Sequence, residues 1–292
     1  MAGSGRQDGL PGAGARKVIA KRALLAIAAI LIGGCAYLSE KQGELIFRPS
    51  RDAWYGYDGN GHAFQDEWIP VGADGQKLHA WWLPGDKANA PALLYLHGAR
   101  WNLTGSVSRI ERWRSLGFAV LAVDYRGFGQ STDVAPTEEF AYQDAEAAWD
   151  LLGKLAPGKP RYIVGHSLGG AIAVDLASRH PEASGLVLEA TFTSVQDMVA
   201  HSTWGFLPVS LILTQKFDAL SKMGEVKVPV VIAHGTRDSI VPYEMGEQLF
   251  EAAHEPKRFI SVEGAGHHNL GSVGAAQYRQ VLSELFKLRP GS

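Results

Sequence analysis

Gly165-His166-Ser167-Leu168-Gly169-Gly170 stands between two segments of opposite character. Ahead of it, Arg161-Tyr162-Ile163-Val164 is a short apolar run with a β-branched pair, which predicts a buried strand. Behind it, small and apolar residues run from Leu168 through Ala171, Ile172, Ala173, Val174, Leu176 and Ala177 to Arg179, and Pro181 lies just beyond. That pattern predicts a helix with a stop. A serine on so tight a strand-to-helix turn is held at strained backbone angles, with its hydroxyl above the sheet edge. A side chain at 165 or 169 would collide with the neighbouring strand and helix, so both positions call for glycine. The helix start also brings the Leu168 N–H near the serine oxygen, where negative charge would develop. In a chain with 34 glycines the spacing Gly-x-Ser-x-Gly is weak by itself. Its flanking strand and helix give it weight.

Outward from the serine, strands alternate with helices. Ala92-Leu93-Leu94-Tyr95-Leu96, bounded by Pro91 and Gly98, predicts a central parallel strand buried on both faces. His97-Gly98-Ala99 follows at its carboxyl end, and a helix is expected over 106–116. Residues 118–123 form a further strand leading into the tight loop Asp124-Tyr125-Arg126-Gly127-Phe128-Gly129-Gln130-Ser131. Asp124 and Arg126 read there as a loop-fixing network. Residues 138–155, acidic at the start and apolar at Phe140, Ala147, Ala148, Leu151 and Leu155, predict an amphipathic helix. Downstream, 185–189, 230–233 and 257–262 are strands, and 275–288 is a final amphipathic helix. Upstream, 66–71 and 77–83 form a hairpin about Ala73-Asp74-Gly75. Of the pair Trp81-Trp82, one is expected to face out or cover an edge. Residues 190–223 interrupt the alternation and read as a small helical cap, or as a crossover helix pair packed on the sheet.

The 292 residues, 46% of them hydrophobic, suffice for one large α/β domain with chain left over at the ends. A formal net charge of −2 gives no pull toward nucleic acid. Cys35 is the single cysteine, which excludes an internal disulfide. Arg16, Lys17, Lys21 and Arg22 precede an apolar run over 23–38. That run is short of the roughly 20 residues a spanning helix needs. It reads as a secretory signal or signal-anchor, which leaves the body on the extracytoplasmic side of a membrane. Ile32-Gly33-Gly34-Cys35 resembles the bacterial lipobox, so Cys35 is a candidate lipidation site beside the plain-anchor reading. The plan is a basic leader and hydrophobic segment (1–38), a linker packing on the domain (39–65), and an α/β domain (66–292) with its cap at 191–223.

In a mostly parallel sheet the loops that follow the strands converge on one rim. The loops holding Ala99, Ser167, Asp238 and His267 all follow predicted strands. A serine hydroxyl attacks only when a base takes its proton, and the base must be held in one tautomer by an acceptor on its other nitrogen. The order Ser…Asp…His assigns Ser167 as nucleophile, His267 as general base and then acid, and Asp238 as the orienting carboxylate. The N–H groups of Leu168 and Ala99 are the candidate oxyanion donors. His267, directly after Gly264-x-Gly266, is preferred to His268. His97 is expected to hold its loop rather than carry protons. No carboxylate or cysteine spacing supports a metal site at His234, His267 and His268, and no cofactor is expected.

Several motifs together carry a resemblance. They are Leu96-His97-Gly98, the 124–131 loop, the 165–170 turn, Thr191-Phe192-Thr193-Ser194, His234-Gly235-Thr236-Arg237-Asp238 with Val241-Pro242, and Gly264-Ala265-Gly266-His267. On these the body, residues 44–288, resembles the α/β-hydrolase superfamily. It is most similar to the membrane-tethered, serine-aminopeptidase-like branch that also includes eukaryotic acyl-protein thioesterases. The resemblance implies a mostly parallel central sheet with helices on both faces and a small cap. It also implies a serine hydrolase that cleaves an ester or thioester through an acyl-enzyme. There is one departure: the branch has small or amide residues after His-Gly, and this chain has the bulky, basic Ala99-Arg100-Trp101-Asn102. A serine peptidase of the same fold and a non-catalytic envelope binding protein stand as alternatives. The oligomeric state has no signature in the sequence.

Overall fold

Short apolar strands with no polar face must lie inside a sheet covered on both sides. In the computed structural model they do so. It describes residues 21–22, 33–34, 37, 41–57, 59, 63–72, 74–203 and 213–287. The chain divides into two compact units, Met1–Gln42 and Gly43–Ser292. The described residues of the first unit are helical. Among the described residues no helix is long and apolar enough to cross a membrane. Cys35 and most of the 23–38 run lie outside the described residues, as does the 204–212 part of the expected cap.

The second unit is built on eight strands: β1 (Gln65–Val71), β2 (Gln76–Leu83), β3 (Ala92–Leu96), β4 (Ala119–Val123), β5 (Arg161–His166), β6 (Gly185–Glu189), β7 (Val230–Gly235) and β8 (Lys257–Val262). Their spatial order is β1-β2-β4-β3-β5-β6-β7-β8. β2 pairs antiparallel with β1 and with β4, and every later pairing is parallel. All residues of β3, β4 and β6 are buried, whereas the edge strands β1 and β8 alternate. Sheet pleating sends successive residues to opposite faces. Ala92, Leu94 and Leu96 accordingly join one core layer, and Leu93 and Tyr95 the other. Each fully buried leucine stabilises the fold by about 1.5–3 kcal/mol.

The helices are α1 (Val107–Ser115), α2 (Glu138–Leu155), α3 (Leu168–Arg179), α4 (Val195–Ala200), α5 (Ala219–Met223), α6 (Tyr243–Ala252), α7 (Leu270–Val273) and α8 (Ala275–Phe286). α2, α3 and α6 supply the first core layer; α1 and α8 supply the second. α2 starts where Thr137 accepts from the Phe140 N–H, with Glu138 and Glu139 in the first turn, and α8 buries Tyr278, Leu282 and Phe286.

Three expectations are corrected. Trp81 and Trp82 are both buried, one in each layer. β1 covers the outer edge of β2, and Phe64 stacks on Trp81 with ring centroids 4.4 Å apart. α2 is rotated slightly from the expected face: Ala141, Asp144, Ala145, Ala148, Trp149 and Leu152 are buried, and the expected Ala147, Leu151 and Leu155 pack against the core at its flank. Small alanines let the helix approach the sheet, and Asp144 is drawn in by Arg126, whose Nε donates to it at 2.7 Å. Finally, α6 was not expected. Pro242 at its start, Glu244 in its first turn and the buried pair Met245 and Leu249 signal it.

The sheet order reverses between β3 and β5, since β4 lies beyond one and β6 beyond the other. Crevices at such switch points, beyond the carboxyl ends of the strands, are where ligands bind in open α/β sheets. The Gly98 loop and the Ser167 turn leave the sheet there.

Candidate active site

Ser167 has φ 55° and ψ −120°, a conformation that costs a non-glycine residue about 1–3 kcal/mol. Surrounding contacts impose it. The Ser167 N–H donates to the Glu189 carbonyl at the end of β6 (2.9 Å), and the Gly170 N–H donates to the Ser167 carbonyl (2.9 Å). A Cβ on Gly165 would sit 2.3 Å from the Gly169 oxygen, and one on Gly169 would sit 2.1 Å from the Leu96 oxygen. The two glycines let α3 lie against β5 and β3 at backbone contact, which drives the serine outward.

Across the rim, His267 Nδ1 lies 2.8 Å from Asp238 Oδ2. His268 makes no such contact, so the structure separates the two neighbouring histidines. The Asp238 carboxylate is fully buried. Its Oδ1 accepts from the Ile240 N–H (2.8 Å) and the Val241 N–H (2.9 Å). His234 Nε2 donates to the Val241 carbonyl (3.1 Å) and lies 3.4 Å from Asp238 Oδ2. Burial alone pushes the Asp238 carboxyl up. The His234 and His267 contacts and the Val241 N–H outweigh it and hold the group well below the usual carboxylate range. An ionised acceptor on Nδ1 keeps the proton there and leaves Nε2 as the basic nitrogen.

Ser167 and His267 line one pocket with His97, Gly98, Ala99, Arg100 and His166. Among the described residues no hydrogen bond joins Ser167 Oγ to His267; in unliganded sites this link commonly tightens only with substrate. The Gly98 loop runs close over the serine: a Cβ on Gly98 would be 3.1 Å from Ser167 Cβ. Among the described residues, neither the Ala99 nor the Leu168 N–H donates to another backbone carbonyl.

His97 holds its loop. Its Nδ1 lies 2.7 Å from the Gly98 carbonyl, and Nε2 lies 3.3 Å from Asp124 Oδ1, off the hydrogen-bond axis. Asp124 Oδ1 accepts the Leu103 N–H (2.9 Å), and Ser131 Oγ donates to the Asp124 carbonyl (2.6 Å). Arg126 turns away to Asp144, so the loop network divides between two separate carboxylates. Among the described residues no cluster of three or more metal-ligating side chains forms.

Three contributors have no counterpart in the sequence reading. His234 braces Asp238 from β7. His166 Nε2 donates to the His267 carbonyl (3.1 Å), and burial, Arg109 and His267 push this ring well below the usual imidazole range, so it stays neutral. Arg109 Nη2 donates to the His268 carbonyl (3.1 Å), which ties α1 to the histidine loop. His166 and His234 stand inside quoted motifs, beside the serine and ahead of Asp238. Arg109 carried no local signal, because its partner is 159 residues away.

Comparison with known proteins agrees with this architecture. Residues 87–218 match the family described as Serine aminopeptidase, S33. An uncharacterized Mycobacterium tuberculosis protein, MT2364, is 32% identical over 84% of this chain and 88% of its own length. The zebrafish lysophosphatidylserine lipase ABHD12 is 29% identical over 61% of this chain, which spans about half (51%) of that protein. The solved esterase Pf2001 of Pyrococcus furiosus superposes with a TM-score of 0.67 at 21% identity, covering 83% of this chain and 98% of that one. The chain belongs to the serine aminopeptidase S33 family of α/β hydrolases.

Proposed function

We propose that this protein is a serine hydrolase of carboxylic esters or thioesters, with Ser167 as nucleophile, His267 as general base and acid, and Asp238 as its orienting carboxylate. The observation that carries the reading is the buried His267–Asp238 contact of 2.8 Å, set beside a strained serine in the same pocket. In this reading Ser167 Oγ attacks the acyl carbonyl while His267 Nε2 takes its proton. The oxyanion is held by the Ala99 and Leu168 N–H groups, each donor worth about 10²–10³ in turnover. The intermediate collapses, the C–O or C–S bond breaks, and the alcohol or thiol leaves with the proton from His267. Water then attacks the acyl-enzyme, with His267 again as base, to release the acid and restore Ser167.

The family description raises an aminopeptidase as a second reading. Such an enzyme must seat a cationic amine, and among the described residues no aspartate or glutamate lines the pocket. That favours the ester. The esterase and lipase names among the similar proteins support it too. A fluorophosphonate probe tests the reading: it should label the wild-type chain and fail on Ser167→Ala. A binding protein without catalysis would take no label at all.

We also propose an N-terminal membrane tether, on the basic flank at Arg16, Lys17, Lys21 and Arg22 and the apolar run after it. Retention in the membrane fraction after alkaline carbonate tests the tether. Loss of palmitate labelling in Cys35→Ser separates the lipidated form from the plain anchor.

A further inference from the structure

The pocket beside Ser167 is lined by one sign of charge. Arg100 and Arg109 face it together with His97, His166, His267 and His268, and no acidic side chain joins them among the described residues. Asp238, against His267, is fully buried and already accepts from two backbone N–H groups. Two guanidinium groups at a site without a carboxylate suit an anionic partner, because the planar fork matches carboxylate and phosphate oxygens.

We propose that this site selects acyl esters carrying a phosphate or carboxylate near the scissile bond, with Arg100 and Arg109 as the groups that bind it. The proposal rests on the serine-hydrolase reading above. α1 supplies an internal contrast. Arg112 pairs with buried Glu189 (2.5 Å) and Arg114 with Asp86 (2.7 Å). Arg109, on the same helix, meets only the His268 carbonyl and the His166 ring, and no carboxylate among the described residues neutralises it.

Arg100 is pinned differently. Its backbone has φ 62°, followed by Trp101 at 59°, and its N–H donates to the Phe47 carbonyl (2.7 Å). Two consecutive left-handed residues that are not glycine are strained, and such strain gathers at ligand-binding sites. The residue is exposed and lines the pocket, and no acidic partner is found for it among the described residues. Burial lowers the His268 pKa first, and Arg109 and Arg100 add to the effect while Asp238 opposes it. The same field would draw an anion in. Around it, Trp54, Trp101 and Ile240 form an apolar rim, 39%, 44% and 48% exposed, with the two indoles edge to face at 4.0 Å. An acyl chain can lie on that rim while the anion meets the arginines.

The test compares matched esters on the full-length chain in detergent. One pair is p-nitrophenyl pentanoate and mono-p-nitrophenyl glutarate, which places a carboxylate on the acyl side. The other is 1-oleoylglycerol and 1-oleoylglycerol 3-phosphate, which places a phosphate on the alcohol side. At low salt at least one anionic member should show a kcat/KM about tenfold or more above its neutral partner. The pair that does so identifies which side of the ester carries the charge. Raising ionic strength should erode the preference seen with the soluble pair, because screening acts on exposed charge. Arg100→Glu should cut the anionic-to-neutral ratio about tenfold or more, Arg109→Gln should lower it, and Arg100→Lys, which keeps the charge but loses the planar fork, should retain only part of it.

Ratios near one for both pairs in the wild-type chain overturn the proposal while leaving ester hydrolysis intact. So does a ratio that Arg100→Glu does not move. The wild-type ratio and its salt dependence stand even if a variant fails to fold. If no ester turns over and Ser167 takes no fluorophosphonate, the hydrolase reading itself has failed and this proposal falls with it.

Discussion

Two buried carboxylates in this molecule each sit between two imidazoles. Asp238 lies between His234 and His267; Asp124 lies between His79 and His97. Burial pushes both carboxyls up, and in both the neighbouring histidines outweigh it, so both are held below the usual range. By residue type the two groups are alike. They differ in how the ring nitrogens are committed. His97 has one nitrogen on the Gly98 carbonyl and the other against Asp124, and its ring is packed between Tyr125 and Phe128. His79 has Nε2 on Asp66 and Nδ1 facing Asp124. His267 has Nδ1 on Asp238, among the described residues its Nε2 makes no hydrogen bond, and its ring lines the pocket that holds Ser167. In the proposed mechanism it is the placement of that second nitrogen beside Ser167 that sets the Asp238 group apart from the Asp124 group.

The comparison breaks most directly at the histidines. His267→Gln should lower kcat/KM by roughly 10⁴ or more, on the scale of losing a catalytic base. His97→Gln should lower it by no more than about 10², through a loosened oxyanion loop. Steady-state kinetics on one ester decides it, and equal losses would erase the distinction.

The carboxylates sharpen it. Asp238→Asn should cost about 10⁴ in kcat, because Nδ1 would lose its acceptor and the tautomer would be wrong. Asp124→Asn should cost little turnover by comparison, yet destabilise by roughly 2–3 kcal/mol in urea unfolding, since the Leu103 N–H and two histidines lose a charged partner. A variant pair with the opposite ranking would reverse the roles assigned here.

A pH series separates them further. The folded Asp238 carboxyl is depressed, so its stabilisation is fully present above its unfolded pKa, near 4. It is lost only as pH falls through the folded value, below the ordinary carboxylate range. The stability gap between wild type and Asp238→Asn should therefore be constant from pH 8 to about 5 and narrow in stronger acid. A gap that closed already between pH 7 and 5 would contradict the burial and bonding described for this group.

The smallest effect lies at the open end of the second constellation. Burial lowers the His79 pKa, but Asp124 and then Asp66 raise it past its usual value. A raised histidine stabilises fully below its unfolded pKa, near 6.5, and loses that contribution as pH rises through the folded value. Asp66 is 65% exposed, so Asp66→Asn should cost less than about 1 kcal/mol at pH 6, and less still at pH 9. Thermal unfolding at the two pH values measures the difference.

Much of the architecture was legible in the chain. Apolar runs closed off by glycine or proline mark β3 and β7, and α3 follows its serine at the expected residue. Neighbouring residues suffice for these, because hydrophobic period and turn chemistry are local. Other features were out of reach. The burial of Asp144 on α2 goes with Arg126 reaching it from the 124–131 loop. The burial of both tryptophans depends on Phe64 and β1 folding over β2. The helix α6 carries local signals as well, in Pro242, Glu244 and the pair Met245 and Leu249.

Order along the chain, with glycines at 165 and 169 and a histidine after Gly264-Ala265-Gly266, was enough to name the fold and its three candidate side chains. It could not say how each imidazole is held, that Arg109 meets no acid among the described residues, or that His234, His166 and Arg109 pack around the site. Those outcomes follow from contacts between segments as many as 159 residues apart. Propensity and pattern act over a few neighbouring residues, whereas proton location and charge balance arise only when distant groups share one buried volume.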